Sequence, residues 1–106
     1  MRLLAFALLF SLAALARADD PAFEITIKDH KFTPSEIVVP AGQKIRLVVK
    51  NDDPTAEEFE SKPLNREKVI AGKSQATIFV GPLKPGEYAF VGEYHEKTAI
   101  GKLIAR

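Results

Sequence analysis

The stretch Phe32-Thr33-Pro34-Ser35-Glu36-Ile37-Val38-Val39-Pro40-Ala41-Gly42-Gln43-Lys44-Ile45 decides the fold. Phe32 reads as an inward-packing anchor, Pro34 fixes φ where a strand begins, and Ile37 to Val39 is a short β-branched run halted by Pro40. Ala41-Gly42 supplies the tight turn into a second strand, which Ile45 opens. On the N-terminal side, Phe23, Ile25 and Ile27 alternate with Glu24, Thr26 and Lys28, a period of two with one dry and one wet face. Beyond Gly42, Ile45, Leu47 and Val49 alternate with Lys44, Arg46 and Val48 until Asn51-Asp52-Asp53-Pro54 stops the strand. Ala76, Ile78 and Val80 form another, closed by Gly81-Pro82; Pro85-Gly86 turns into Glu87 to Gly92; Ala99 to Ala105 is the last. Leu64 to Ile70 is expected to hold a short helical segment. About seven short strands with regular turn punctuation predict an all-β sandwich.

The first residues read differently. Arg2 and the amino terminus give a positive start, Leu3 to Leu15 is apolar except for Ser11, and Ala16-Arg17-Ala18 is an A-x-A cleavage pattern. The apolar run is too short to span a bilayer, so residues 1–18 are expected to be a secretory signal peptide and residues 19–106 the exported domain. The expected location is a bacterial periplasm, with no membrane insertion after cleavage. Losing Arg2 and Arg17 leaves 13 basic residues against 14 acidic ones, a net charge of −1. That balance favours neither nucleic acid nor an anionic membrane surface. An exported chain with no cysteine has no disulfide to staple it, so packing alone must hold it together. Nucleophilic catalysis is disfavoured too: Cys is absent, and Ser35, Ser61 and Ser74 lie in no nucleophile-elbow context.

Three elements in the right order resemble the cupredoxin-like family over nearly the whole exported chain. The Phe32–Ile45 stretch is similar to the family's Phe-x-Pro-x-x-Ile-x-Val-x-x-Gly-x-x-Val element, and Asn51 to Phe59 resembles the segment that carries the first His ligand. Tyr88-Ala89-Phe90-Val91-Gly92-Glu93-Tyr94-His95 resembles the family's Tyr-x-Phe-x-Cys-x-x-His ligand loop. The resemblance implies a Greek-key β-sandwich. On it, Glu57 falls at the first His, Gly92 at the Cys, His95 at the second His, and Ile100 or its neighbour at the axial Met. With no Cys, and Met1 as the one Met, a type-1 blue copper site cannot be built. The position has exchanged soft donors for carboxylates and an imidazole, which suit iron, manganese, zinc or a non-blue Cu(II).

Strand alternation puts Glu57 and Phe59 on one face and Glu58 and Glu60 on the other. With Phe59 in the core, Glu57 points inward, and a lone buried carboxylate is costly unless paired or metal-bound. Glu57 and His95 are therefore the first candidate metal ligands. Glu58 follows, because the segment begins in an irregular turn after Pro54; Glu93 and Glu96 flank His95, and His30 sits in the first strand-to-strand loop. Two imidazoles and a carboxylate would resemble non-heme iron sites in composition.

Glu57-Glu58-Phe59-Glu60-Ser61 together with Gly92-Glu93-Tyr94-His95-Glu96 is further similar to the small exported cupredoxin-like components of bacterial ferrous-iron uptake systems. That resemblance implies iron as the bound metal, with copper alongside it, and assistance to Fe(II) oxidation. It also implies a periplasmic iron-binding protein and an inner-membrane iron permease as partners. A copper-handling or type-2 copper protein, and a metal-free interaction module, are the competing readings. Affinity alone does not separate iron from copper, because the same donors bind Cu(II) more tightly than Fe(II).

Overall fold

The computed structural model describes residues 20–106, so the expected signal peptide lies outside the described residues. Among the described residues nine strands follow one another: β1 (Ala22–Lys28), β2 (Lys31–Thr33), β3 (Glu36–Val39), β4 (Ile45–Asn51), β5 (Glu57–Ser61), β6 (Arg66–Ile70), β7 (Ser74–Val80), β8 (Gly86–Gly92) and β9 (Ile100–Ala105). A 3-10 turn, Glu93–His95, follows β8. The strands make two sheets, ordered β2-β1-β4-β7 and β3-β9-β8-β5-β6. The pairs β1–β4 and β3–β9 are parallel, whereas the others are antiparallel. The expected all-β sandwich is present. No helix among the described residues is long and apolar enough to cross a membrane.

Alternation in the sequence becomes the two inner faces. Ile25 and Ile27 of β1, Ile45, Leu47 and Val49 of β4, and Ile78 and Val80 of β7 are buried from one sheet. Phe59, Phe90 and Leu103 oppose them from the other. Phe59 stacks on Phe90 with ring centroids 5.0 Å apart, and Phe32 meets Phe90 edge-on at the same separation. Offset and edge-to-face contacts of this kind add about 0.5–1.5 kcal/mol per pair beyond area burial. Gly42 holds the β3–β4 turn at φ +79°, where a side chain would be strained.

The segment expected to hold a helical turn is instead a hairpin. Asn65, at φ +57°, reverses the chain, and β6 pairs antiparallel with β5 from Ile70 against Glu57 to Arg66 against Ser61. Ser61 Oγ fixes the corner by donating to the Ala89 carbonyl and accepting from the Leu64 amide. Arg66 Nε then donates to the Phe79 carbonyl at 2.9 Å, tying β6 to β7 across the open side of the sandwich. Arg66, Glu67, Lys68 and Val69 are all exposed, so no alternation marked this edge strand, and good helix-forming residues suggested a helix. The three-residue β2 likewise raises the strand number above seven.

Candidate metal centre

The chain after β1 reverses through Asp29 and His30 alone, with φ of +53° and +59°. Two consecutive left-handed residues form the mirror-image turn that matches strand twist in a two-residue hairpin, a place usually taken by Asn and Gly. His30 is strained there, and a buried carboxylate compensates. Asp53 accepts from the Asp29 amide at 2.8 Å and from the His30 amide at 2.9 Å. Asp53 is itself fixed: its amide donates to Asn51 Oδ1, and its carbonyl accepts from the Lys73 amide. The Asn51 side-chain amide donates to the carbonyls of Thr55 and Ile70. Three loops at one end of the sandwich are thus lashed to Asn51 and Asp53, both buried.

Burial alone would raise the Asp53 carboxyl, but the amides of His30 and Asp29 and the charges of His30 and Lys28 hold it below its ordinary 3.8. A carboxyl depressed in the folded state contributes stability that is complete above the unfolded value and lost as pH falls through the folded one. The midpoint of urea unfolding should therefore show no loss from Asp53 above about pH 4 and should fall below it. In Asp53→Asn that component of the fall should disappear; an unchanged acid limb would show that Asp53 does not carry it.

Beside this turn, the first residue of β5 delivers Glu57, which is 1% exposed. Its Oε1 accepts from the Tyr94 amide at 2.9 Å and from the Glu58 amide at 3.0 Å, and its Oε2 lies 2.6 Å from His95 Nδ1. The 3-10 turn carries His95 back over β5, and the His95 carbonyl accepts from the amides of Thr98 and Ala99. The His30 ring stacks on the His95 ring, with centroids 3.5 Å apart and planes 20° from parallel. Ligand atoms of His30, Glu57 and His95 all lie within 4.8 Å of one another. The Glu57 side chain is 2% exposed, His95 30% and His30 42%, so the carboxylate forms the floor and the imidazoles form the mouth.

The remaining candidates are placed elsewhere. Glu58 lies on the opposite face of β5 from Glu57 and takes part through its amide. Glu93 and Glu96 are exposed beside an open cleft of about 590 Å³ that His30 and His95 also line. None of the three belongs to the group within 4.8 Å. Glu93 turns toward Glu60, and the hydrogen bond they share, aided by burial, pushes the Glu60 carboxyl up. Ile100 is 53% exposed and does not face the site. Its neighbour Ala99 does: a Cβ built on Gly92 would meet the Ala99 Cβ at 2.7 Å, Glu57 Cδ at 2.7 Å and Glu57 Oε2 at 2.8 Å.

A family profile described as a cupredoxin-like domain matches residues 1–105. The chain belongs to the cupredoxin-like family. Within this cupredoxin-like chain no thiolate is available at all, so a type-1 copper centre is excluded by composition. An uncharacterized protein of Rickettsia prowazekii (strain Madrid E) is 49% identical over 81 residues, which are 76% of this chain and 65% of that relative's length. Among solved structures, the metal-binding domain of the Cu(I)-exporting P-type ATPase of Streptococcus pneumoniae D39, solved with Cu(I), superimposes with a TM-score of 0.72 at 15% identity over 80% of this chain and 84% of that one. Auracyanin A, a blue copper protein of Chloroflexus aurantiacus, gives 0.69 at 17% identity over 80% and 98%. Amicyanin of Paracoccus versutus gives 0.63 at 17% identity over 89% and 88%. At these identities the likeness concerns the fold. The cupredoxin-like frame places Glu57, His95 and His30 together; the sequence signalled all three, but not the Asn51–Asp53 support beneath His30.

Proposed function

We propose that this cupredoxin-like chain is an exported metal-binding protein whose Glu57 and His95 hold iron, and that it acts in ferrous-iron uptake. The observation that carries the reading is the Glu57 carboxylate, buried in the sandwich and lying 2.6 Å from His95 Nδ1. A carboxylate buried at such a depth is retained at a cost unless a proton donor or a cation answers it. Carboxylate and imidazole suit iron, and anionic oxygen favours Fe(III) over Fe(II). Iron is here the cargo: oxidation of Fe(II) releases one electron, which a bound Cu(II) or a redox partner protein would accept. The periplasm, an iron-binding protein there and an inner-membrane permease are the setting the family resemblance suggests.

His30 plays a lesser part. An ion bound by imidazole lies in the ring plane, at a metal–nitrogen distance of about 2.0–2.1 Å. Rings stacked at 3.5 Å and 20° apart share no such point, so His30 joins only after its ring turns away from His95. A second reading is Cu(II), favoured by the two neighbouring imidazoles and by the Irving–Williams order. An anaerobic Fe(II) titration of the purified metal-free protein, with Cu(II) and Zn(II) in parallel, tests both. Stoichiometric Fe(II) binding is expected, weakened about tenfold in His30→Ala, the low end of the loss expected of an orienting rather than an anchoring group. Binding of Cu(II) alone would move the assignment to copper handling. Absence of any metal at micromolar concentration would leave the frame as a protein-interaction scaffold.

A further inference from the structure

We infer that Gly92 is the specificity-determining residue of the site, because the space its missing Cβ leaves is where the Glu57 carboxylate lies. The inference rests on the metal-site reading given above for its consequence, though not for its geometry. A Cβ at position 92 would stand 2.7 Å from Glu57 Cδ and 2.8 Å from Oε2, closer than nonbonded carbon and oxygen approach. Gly92 is not there for backbone reasons. Its φ is −92° and its ψ 107°, an extended conformation that any residue adopts. It ends β8 opposite Phe59, two residues along β5 from Glu57, and its amide is engaged by the Ala99 carbonyl at 2.8 Å. What the position requires is the absence of a side chain.

The exclusion is mutual. A residue with a Cβ at 92 must displace the Glu57 carboxylate from its present place, and the carboxylate in that place leaves no room for a Cβ at 92. One arrangement offers an ion an anionic oxygen beside His95; the other offers whatever position 92 carries. Glu57 cannot yield cheaply, because Oε1 holds the Tyr94 and Glu58 amides while Oε2 holds His95. Gly92 thereby selects the donor class, hard oxygen with imidazole nitrogen, without touching the ion.

Ala99 complicates the obvious test, since its Cβ also lies 2.7 Å from the added atom. Gly92→Ala is therefore combined with Ala99→Gly, which removes that obstacle, and Ala99→Gly alone is the control. Two readouts are taken on purified, metal-free protein. The first is hydrogen exchange of the Tyr94 amide, which reports whether Glu57 Oε1 is still in place. The second is Fe(II) affinity, measured anaerobically. In Gly92→Ala/Ala99→Gly the Tyr94 amide is expected to lose protection and Fe(II) affinity to drop by about tenfold to a hundredfold relative to Ala99→Gly, the range for loss of an orienting or ligating carboxylate. Retention of both protection and affinity would overturn the inference. So would failure of the double variant to fold, which would make Gly92 a purely structural glycine. If the unsubstituted protein binds no metal, the metal reading falls, and the Tyr94 amide alone decides whether Gly92 and the Glu57 carboxylate exclude each other.

Discussion

Glu57→Gln should weaken Fe(II) binding by at least about a hundredfold while the sandwich stays folded, since it replaces the anionic oxygen donor with a neutral amide and should cost more than the roughly 10–100-fold typical of a group that only orients a ligand. The glutamine is nearly the same shape. Its carbonyl can accept from the Tyr94 and Glu58 amides as Glu57 Oε1 does, and its NH2 can donate to a neutral His95 Nδ1. The hydrogen-bond pattern of the floor is thereby kept and only the charge is removed. Glu57→Ala is the harsher change. It leaves two amides and an imidazole nitrogen facing an empty buried space, at roughly 1–3 kcal/mol for each unsatisfied group. His95→Ala should match Glu57→Gln in affinity, because on the proposed reading the two side chains address the same ion. The combined Glu57→Gln/His95→Ala variant should then lose less than the product of the single losses, as residues acting on one site are not additive. Calorimetric titration of the three variants with Fe(II) and Cu(II) reads this directly. Wild-type affinity in Glu57→Gln would remove the carboxylate from the site and leave an imidazole-only reading.

The parts of this structure legible in the sequence are those where burial on one side imposes a rule. Phe23 to Lys28 and Lys44 to Val49 alternate because each strand has one face in the core, and Glu57 faces inward because Phe59 shares its face. Edge strands obey no such rule. In β6 four of five residues are exposed, so Arg66 to Ile70 kept no period of two, and only its partner β5 makes it a strand. The site divides in the same way. His95, Glu57 and His30 are chemically distinctive residue types in a chain with two histidines. Asn51 and Asp53 are not, because Asn-Asp-Asp-Pro at the end of a strand is the ordinary signature of a turn. That the turn accepts amides from another hairpin depends on a packing that brings residues 29–30 beside it. That the Glu57 carboxylate itself fills the space at Gly92 depends on the packing of one strand against another, which residue order does not show.

Asp53→Ala should lower the stability of the domain by about 3 kcal/mol or more, a larger effect than a turn residue ordinarily has. Two amides, those of Asp29 and His30, lose their acceptor, each at roughly 1–3 kcal/mol where water does not replace it. The left-handed conformation of His30, which costs about 1–2 kcal/mol in an L residue, also loses what holds it. For a domain of this size, 3 kcal/mol corresponds to a fall in the melting midpoint of at least about 10 °C. Asp53→Asn is not a gentle substitute here. Both carboxylate oxygens are used, and an asparagine must present its NH2 to one of the two amides, donor against donor. Its effect should lie between wild type and alanine. The consequence for metal is expected to be smaller than the consequence for folding, because Glu57 and His95 are held by β5 and the 3-10 turn rather than by Asp53. Loss of Asp53 should leave the Asp29–His30 turn unanchored, so that His30 is no longer held beside the ion, and Asp53→Ala and His30→Ala should lower Fe(II) affinity by the same factor and not compound. Thermal melts give the first quantity and the Fe(II) titration the second. Full wild-type stability in Asp53→Ala would mean that the Asp29–His30 turn holds its shape unaided, and the support assigned to Asn51 and Asp53 would have to be withdrawn.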